Sequence, residues 1–411
     1  MKIGYMLKIF PKISETFVVN EIIELIKMGH DVYIFSMYHP NEKIIHREKI
    51  VYDDVLKYNL LDNTYYSPRI HRSVLELTGY VSLLLNHHPD NILYNKLYTD
   101  MARHFAKIIK EKDIHLDIIH AHFATEQTFV AMKLSKMLDV PFTLMAHAND
   151  IFLNPNVKSL REKFENASAI MTPSHYNREY LYSLTGIDND KIHIIRACPN
   201  IDKFKDFKMT EGKLRNEPTI LSISRLVEKK GIKYGILAIK DLVKEYPGIV
   251  YKIVGSGMLE RELKMLITSL NLENNVKIIG NLDNDILIKD LSNATIFILP
   301  CIKAKNGDMD GIPVSLMEAM YFQVPTISTR VSGIPELIEN NEDGLLVDAH
   351  NVKQLSDAIR TLLTNRDLRI ELGNNGRIKV ENNFNIHKEV NRLVEIWSRI
   401  KNESDHLNNN Q

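Results

Sequence analysis

The apolar positions along this chain fall into two runs of strand and helix signals separated by a polar stretch. Residues 2–8 read as a buried strand, and Ser14-Glu15-Thr16 then caps a helix whose apolar face is Phe17, Ile22, Leu25 and Ile26. Gly29 closes that helix and residues 31–37 form the next strand. Strand, helix, strand with tight joints opens a parallel α/β sheet. Residues 40–112 lose the rhythm: they are rich in Tyr and His, helical in patches, and read as an insertion. Helical spacing there sets Phe105, Ile108 and Ile109 on one side with Arg103, Lys107 and Lys110 mostly on the other, which suits a solvated face before an anionic lipid surface. The rhythm returns with a strand over 116–122, a helix over 126–138, and strands over 141–145, 169–172 and 191–195. Residues 197–217 are polar and aperiodic and read as a linker.

A second α/β unit follows. A strand over 219–224 ends in Arg225, the loop LVEKKG carries Lys230, and a helix spans 232–245. The strand over 250–254 ends in Gly255-Ser256-Gly257, a turn that lacks the third glycine of a dinucleotide fingerprint. Strands over 276–279, 295–299 and 325–328 continue the sheet, and helices cover 352–364, 368–381 and 388–400, the last with Trp397. The polar tail 402–411 is expected to be disordered.

Within the second unit, residues 308–339 concentrate chemistry. Val314, Leu316, Met317, Ala319, Met320 and Phe322 are too crowded for a single stripe, so their helix should be buried on most of its circumference. Glu318 in such a helix needs a polar partner, for which a ligand is the natural candidate. Pro313 suits the first helical turn, Gly311 permits close backbone approach, and the amides around Ile312 and Val314 face the loop. Ser332-Gly333-Ile334-Pro335-Glu336 starts another helix by the same grammar, so two helix N-termini suited to phosphate oxygens lie close in sequence. An ordinary αβα unit with capping acids would show the same residues.

At 411 residues the chain suits two domains, and equal counts of 52 basic and 52 acidic residues give a nucleic-acid partner no electrostatic support. Cys198 and Cys301 are far apart, which fits a reducing compartment and argues against a structural zinc site. MKIGYMLKIF is too short for a signal peptide and the apolar run 81–85 too short for a membrane span. A cytoplasmic protein is expected, with peripheral contact at the inner membrane face left open.

Two parallel-sheet units imply a cleft at the carboxyl ends of their strands, where ligands of such sheets bind. The candidate groups at those ends are Ser14, Glu15, Thr16 and His122 on the first half, with His147 and Asp150 in AHAND, and on the second half Arg225, Lys230, Gly255, Gly257 and the turn from Asp310 to Glu318. Amides and two cations suit a diphosphate, carboxylates suit vicinal hydroxyls, and histidines suit a reacting centre. A sugar nucleotide matches that inventory. Gly280, in Ile279-Gly280-Asn281, is a candidate for reading the donor base by backbone.

Asp310 and Glu318 with seven residues between them, GIPVSLMEAM, SRLVEKKG, GSGMLERELK, HAHF, AHAND and SGIPELI together resemble the retaining glycosyltransferases of family 4, which have the two-domain GT-B fold. FPKISETFVVNEI is similar to the exopolysaccharide and colanic-acid-type members. The resemblance covers nearly the whole chain and is weakest over 40–112. It implies two Rossmann-like domains: 1–197 on the acceptor side, completed by a C-terminal helix over 385–401, and 218–384 for the nucleotide sugar, joined by a linker over 198–217. It further implies that Arg225 and Lys230 neutralise the donor diphosphate, Glu318 binds the ribose, Asp310 faces the donor sugar and His147 lies by the anomeric carbon. The acceptor would be a saccharide or a lipid-linked saccharide, and the configuration would be retained. Three positions depart from the family pattern: Asp310 replaces a Glu, Ile13-Ser14-Glu15 replaces a Gly-Gly turn, and Ala148 replaces the glycine of the His-Gly-x-Asp motif. No metal or cofactor is expected, since no Asp-x-Asp pair stands at a strand end. Three other readings remain open: a sugar-nucleotide epimerase of the same fold, a hydrolase with a metal on His120, His122, His147 and Asp150, and a non-catalytic partner that kept the fold.

Overall fold

A computed structural model describes residues 1–12, 15–40, 49–68, 92–153, 155–205 and 218–409, and the chain folds as two compact units. The first comprises Met1–Pro173, Asn177–Arg196 and His387–Gln411; the second comprises Ser174–Tyr176 and Ala197–Ile386.

The first unit is built on a seven-stranded parallel sheet. Its strands are β1 (Lys2–Ile9), β2 (Asp31–Tyr38), β3 (Thr64–Tyr66), β4 (Ile118–His122), β5 (Phe142–Met145), β6 (Ala169–Thr172) and β7 (Ile192–Ile194), in the order β3-β2-β1-β4-β5-β6-β7. The order reverses between β1 and β4, the kind of switch point beside which open sheets bind ligands. Every residue of β4 is buried, so His120 and His122 lie in the sheet's interior, with His120 in register with Tyr5 of β1 and Thr143 of β5.

Four expectations change here. The helix Thr16–Lys27 buries every residue from Val18 to Leu25, including Asn20, Glu21 and Glu24, so it is not a one-faced amphipathic helix. Its N-cap is Glu15, which makes no side-chain capping bond and instead pairs with Lys12. The region expected to be an irregular insertion supplies β3 and the helix Ile92–Glu111, whose Met101, Ala102 and Phe105 are fully buried and whose Tyr98 stacks on Phe129 at 5.8 Å. Arg103, Lys107 and Lys110 are exposed, and Arg103 and Lys107 are paired along the helix with Asp100 and Glu111. The tail is helical through Asn409 as part of Ile386–Asn409, anchored by Trp397, which donates Nε1–H to Thr143 Oγ1 at 3.0 Å, and by Lys401 on Asp117 at 2.6 Å.

The second unit has six parallel strands: β8 (Thr219–Ile223), β9 (Val250–Val254), β10 (Val276–Gly280), β11 (Ile296–Leu299), β12 (Thr326–Thr329) and β13 (Leu345–Val347), in the order β10-β9-β8-β11-β12-β13. The expected linker is partly structured: Cys198 and Ile201 are buried and Ile201–Phe204 forms a 3-10 turn. The helix Val314–Tyr321 buries Leu316, Met317, Ala319, Met320 and Tyr321, as its crowded apolar pattern requires, with Pro313 standing at the N-cap rather than inside the first turn.

Candidate active site

In the second unit three loops at strand ends are fastened to one another. Leu226 donates its amide to Ser256 O at 2.9 Å, Leu259 donates to Leu226 O at 3.1 Å, and Gly255 donates to Gly280 O at 2.8 Å. Gly255 has φ +133°, and a Cβ there would stand 1.9 Å from Ser224 O; one at Gly257 would stand 2.5 Å from Leu226 O. Only glycine allows this approach. The glycine turn is therefore a backing for the segment that carries exposed Arg225, and Gly280 meets the same turn.

Lys230 is held differently. Gly231 has φ +65° and a Cβ on it would meet Pro300 O at 1.8 Å, while Ile302 donates its amide to Lys229 O at 2.9 Å. This presses the lysine loop against the chain leaving β11. Lys230 Nζ then reaches Asp310 Oδ2 at 2.7 Å. Lys229 Nζ lies 2.9 Å from Asp308 Oδ1 and 3.5 Å from Asp310 Oδ1, and the Cys301 thiol lies 3.6 Å from Asp310 Oδ2. Burial works against charge on both Lys230 and Asp310, but their mutual attraction wins: the lysine is held above its usual range and the carboxyl below its own. Burial, with Asp310 beside it, pushes the Cys301 thiol up. Arg225 also acts on both members of the Lys230–Asp310 pair. Sequence reasoning passed over Lys229 and Asp308, although Lys229 and Lys230 stand side by side and Asp308-Met309-Asp310 is an Asp-x-Asp pair in the loop after β11, which the expectation of no such pair at a strand end overlooked.

Gly311 and Ile312 are buried directly after Asp310, and Val314 opens the helix that carries Glu318. Burial pushes the Glu318 carboxyl up to about 7, with Lys203 offsetting only part of it. No hydrogen bond joins Glu318 to Lys230 or Asp310 among those described.

The first unit holds a second polar centre. Tyr5 donates its hydroxyl to Glu21 Oε1 at 2.6 Å, His122 Nε2 lies 2.8 Å from the same oxygen, and His122 Nδ1 lies 3.2 Å from His147 Nε2. Asp150 Oδ2 accepts the amides of His147 and Ala124 at 3.0 and 2.8 Å, and Lys163 donates to Ala124 O at 2.7 Å. Burial, reinforced by His122, keeps His147 well below the ordinary histidine range. Burial also pushes Asp150 up to about 7 and Lys163 down to about 8. Phe17, at 4.9 Å between ring centroids, and Phe123, at 4.5 Å, flank His147.

The structure thus joins His122, His147 and Asp150, and separately Arg225, Lys230 and Asp310. Thr16 is the exposed first residue of its helix, and Ser14 lies outside the described residues. Glu21 was not anticipated; a carboxylate inside the apolar run VVNEIIEL was its signal. The four groups weighed as metal ligands do not gather as a set. Instead Glu21, His120 and His122 present nitrogen and oxygen atoms within 4.8 Å of one another.

Two parallel doubly wound sheets with these loop positions define the GT-B class. The chain matches the Glycosyltransferase Family 4 description over residues 14–202 and the Glycosyl transferases group 1 description over residues 204–379. It is 30% identical to the amylovoran biosynthesis glycosyltransferase AmsK of Erwinia amylovora over 97% of this chain and 100% of that protein. It is 28% identical to the putative colanic acid biosynthesis glycosyltransferase WcaL of Escherichia coli over 96% of this chain and 100% of that one. A glycosyltransferase structure from Rickettsia africae superposes with TM-score 0.74 at 22% identity, covering 97% of this chain and 98% of that one. The HepE protein of Anabaena, solved with UDP, also gives 0.74, at 17% identity over 97% of this chain and 100% of its own. The chain belongs to the glycosyltransferases of family 4 and is an enzyme of that kind. Among the described residues no helix is long and apolar enough to cross a membrane.

Proposed function

We propose that this enzyme moves a sugar from a nucleoside diphosphate sugar to a saccharide or lipid-linked acceptor in cell-surface polysaccharide synthesis, with retention of configuration. The observation that carries the donor assignment is the Lys230–Asp310 pair at 2.7 Å, on loops that the glycine turn and Arg225 adjoin. A departing nucleoside diphosphate needs its developing charge met by preorganised cations, and a lysine point charge with a forked guanidinium supplies that without a metal or an organic cofactor. Asp310 holds the Lys230 ammonium in place; when the donor binds, phosphate oxygens take over part of that charge and Asp310 turns to sugar hydroxyls. Glu318 accepts from the ribose hydroxyls, and the backbone at Gly311, Ile312, Val314 and Gly280 completes the donor site. His147 contacts the donor sugar. Glu15, Thr16 and His122, with Ser14, lie on the acceptor side, and the acceptor brings the enzyme to the cytoplasmic membrane face peripherally.

The polysaccharide assignment is supported by the amylovoran biosynthesis role of AmsK and the putative colanic acid biosynthesis role of WcaL, both matched over their full length. The donor base stays open between uridine, as bound in HepE, and guanosine, as used by a GDP-mannose-dependent mannosyltransferase of Mycobacterium tuberculosis that is 31% identical over 54% of this chain. A thermal-shift screen against UDP-, GDP- and ADP-sugars tests the reading, since a ligand at a hundred times its Kd stabilises by about 2.7 kcal/mol. One nucleotide class should raise Tm and turn over with a saccharide acceptor. No stabilisation by any of the three would overturn the proposal.

A further inference from the structure

We propose that Lys229 acts through Asp310 as a positioning residue for glycosyl transfer: it keeps one oxygen of Asp310 paired when the donor diphosphate claims Lys230, and so leaves the other oxygen free for the sugar. The inference rests on the donor-site reading given above.

Lys229 and Lys230 are neighbours in the 3-10 turn Glu228–Lys230, yet their ammonium groups are held in different ways. Lys230 reaches Asp310 Oδ2 at 2.7 Å. Lys229 is only 4% exposed and has three oxygens around its Nζ: Asp308 Oδ1 at 2.9 Å, Met309 O at 3.4 Å and Asp310 Oδ1 at 3.5 Å. An ammonium has three N–H donors and no acceptor, so these oxygens match its capacity. The loop from 301 to 310 is folded about it. Ile302 donates its amide to Lys229 O at 2.9 Å, Ala304 donates to Asp308 O at 2.9 Å, and Asp308 donates to Asn306 Oδ1 at 3.1 Å. One loop thus fixes both the main chain and the ammonium of Lys229, which is not placed to leave for a ligand.

Asp310 divides its two oxygens between the neighbouring lysines. Oδ2 faces Lys230 and the Cys301 thiol, and Oδ1 faces Lys229. Among the described residues no main-chain amide donates to this carboxylate, so its charge is kept by cations. Burial works against that charge, and Lys230, then Lys229, then Arg225 outweigh burial. The diphosphate draws on Lys230 and Arg225, the two cations assigned to it, and brings negative charge of its own. Lys229 is the cation that stays. Without it the carboxyl would take up a proton more readily, and a protonated oxygen no longer accepts from a sugar hydroxyl as a carboxylate does.

Carbon-13 NMR of the aspartate carboxyls in the full chain, with Asp310 assigned by the signal lost in Asp310→Asn, reads this pairing without any donor. Lys229→Met alone would leave Asp308 without its buried partner, so the test is carried by the paired variant Lys229→Met with Asp308→Asn, which removes both charges. Its Asp310 carboxyl should titrate about one pH unit or more above that of the wild type, while Asp308→Asn alone, which keeps the ammonium, should not raise it. In turnover the acid limb of kcat, which reports the donor complex, should move up by a similar amount in the paired variant. At the wild type's half-maximal pH kcat then falls roughly fivefold, while kcat above about pH 8 and the donor KM change little. A lysine that merely tied the loop would lower kcat equally at every pH. An unmoved Asp310 titration in the folded paired variant, a rise of the same size in Asp308→Asn, or a loss of kcat independent of pH would each overturn the proposal. Protonation of wild-type Asp310 at about pH 7, on addition of whichever of UDP, GDP and ADP binds, would overturn it even if no variant folds. Absence of binding by every sugar nucleotide would overturn the donor reading and this inference with it, and the free-chain titration would still show whether the pairing itself stands.

Discussion

The two units assemble their polar centres by opposite routes. In the second unit Lys229, Lys230, Asp308 and Asp310 come from two loops, and their ion pairs close at 2.7 to 3.5 Å. In the first unit Tyr5, Glu21, His122 and His147 come from a strand, a helix, a second strand and a helix cap, with Glu21 and His122 101 positions apart. The loop centre carries charge that a polyanionic ligand can exchange for. The buried centre carries hydrogen bonds closed in by packed side chains. A centre of the first kind tolerates rearrangement when a ligand binds, while the second holds a geometry that a ligand must accept.

That contrast yields graded outcomes. The largest effect is expected from Lys230→Ala, which should lower kcat by ~10² to 10³ with the circular dichroism spectrum intact. Turnover near wild type would remove the diphosphate assignment and leave the loop centre a structural ion-pair cluster. Arg225→Ala should lose somewhat less, because among the described residues the exposed guanidinium acts on Asp310 without the direct ion pair that Lys230 makes.

Glu318→Gln is expected to act on binding and on stability. Hydroxyl groups donate to a carboxylate, so wild-type donor affinity should tighten as pH rises from about 6 to about 8, and the substitution should flatten that profile. The stability effect has a definite sign. The folded-state carboxyl, pushed up to about 7, lies above the ordinary 4.5, so the folded protein holds this proton when the unfolded chain has released it. Glu318 therefore lowers stability progressively as pH climbs from about 4.5 to about 7, and the Gln variant should gain Tm relative to wild type at pH 8 but not at pH 4. A parallel donor-affinity profile in the two proteins would count against the ribose assignment.

In the first unit, Asp150→Ala removes the acceptor for two buried amides and should cost about 1–3 kcal/mol in urea unfolding. A loss near zero would mean the His147 turn does not depend on it. The smallest effect belongs to Lys401→Ala: its pair with Asp117 at 2.6 Å is partly exposed and should contribute under about 1 kcal/mol. A larger loss would show that the last helix is held chiefly by that pair rather than by buried Trp397.

Much of this protein was legible before any coordinates. Buried parallel strands announce themselves as short apolar runs between turn residues, so 250–254 and 169–172 needed no structure to be found. That Arg225, Lys230 and the two glycines of the turn follow strand ends was legible because a strand and the loop leaving it are read from neighbouring residues. The region 40–112 was not, because β3 is three residues long and Ile92–Glu111 hides its buried face among Tyr, Met and His.

Sequence by itself determined the two α/β repeats, the positions where backbone must approach backbone, and the charges available for an anion. These follow from periodicity and from the steric freedom of glycine, which act over a few residues. Tertiary structure alone decided that Asp310 faces Lys230 rather than solvent, that the polar tail continues as helix, and that a glutamate on the first helix meets a histidine of β4. Pairings across a sheet depend on which strands become neighbours, and that is settled by packing of the whole unit.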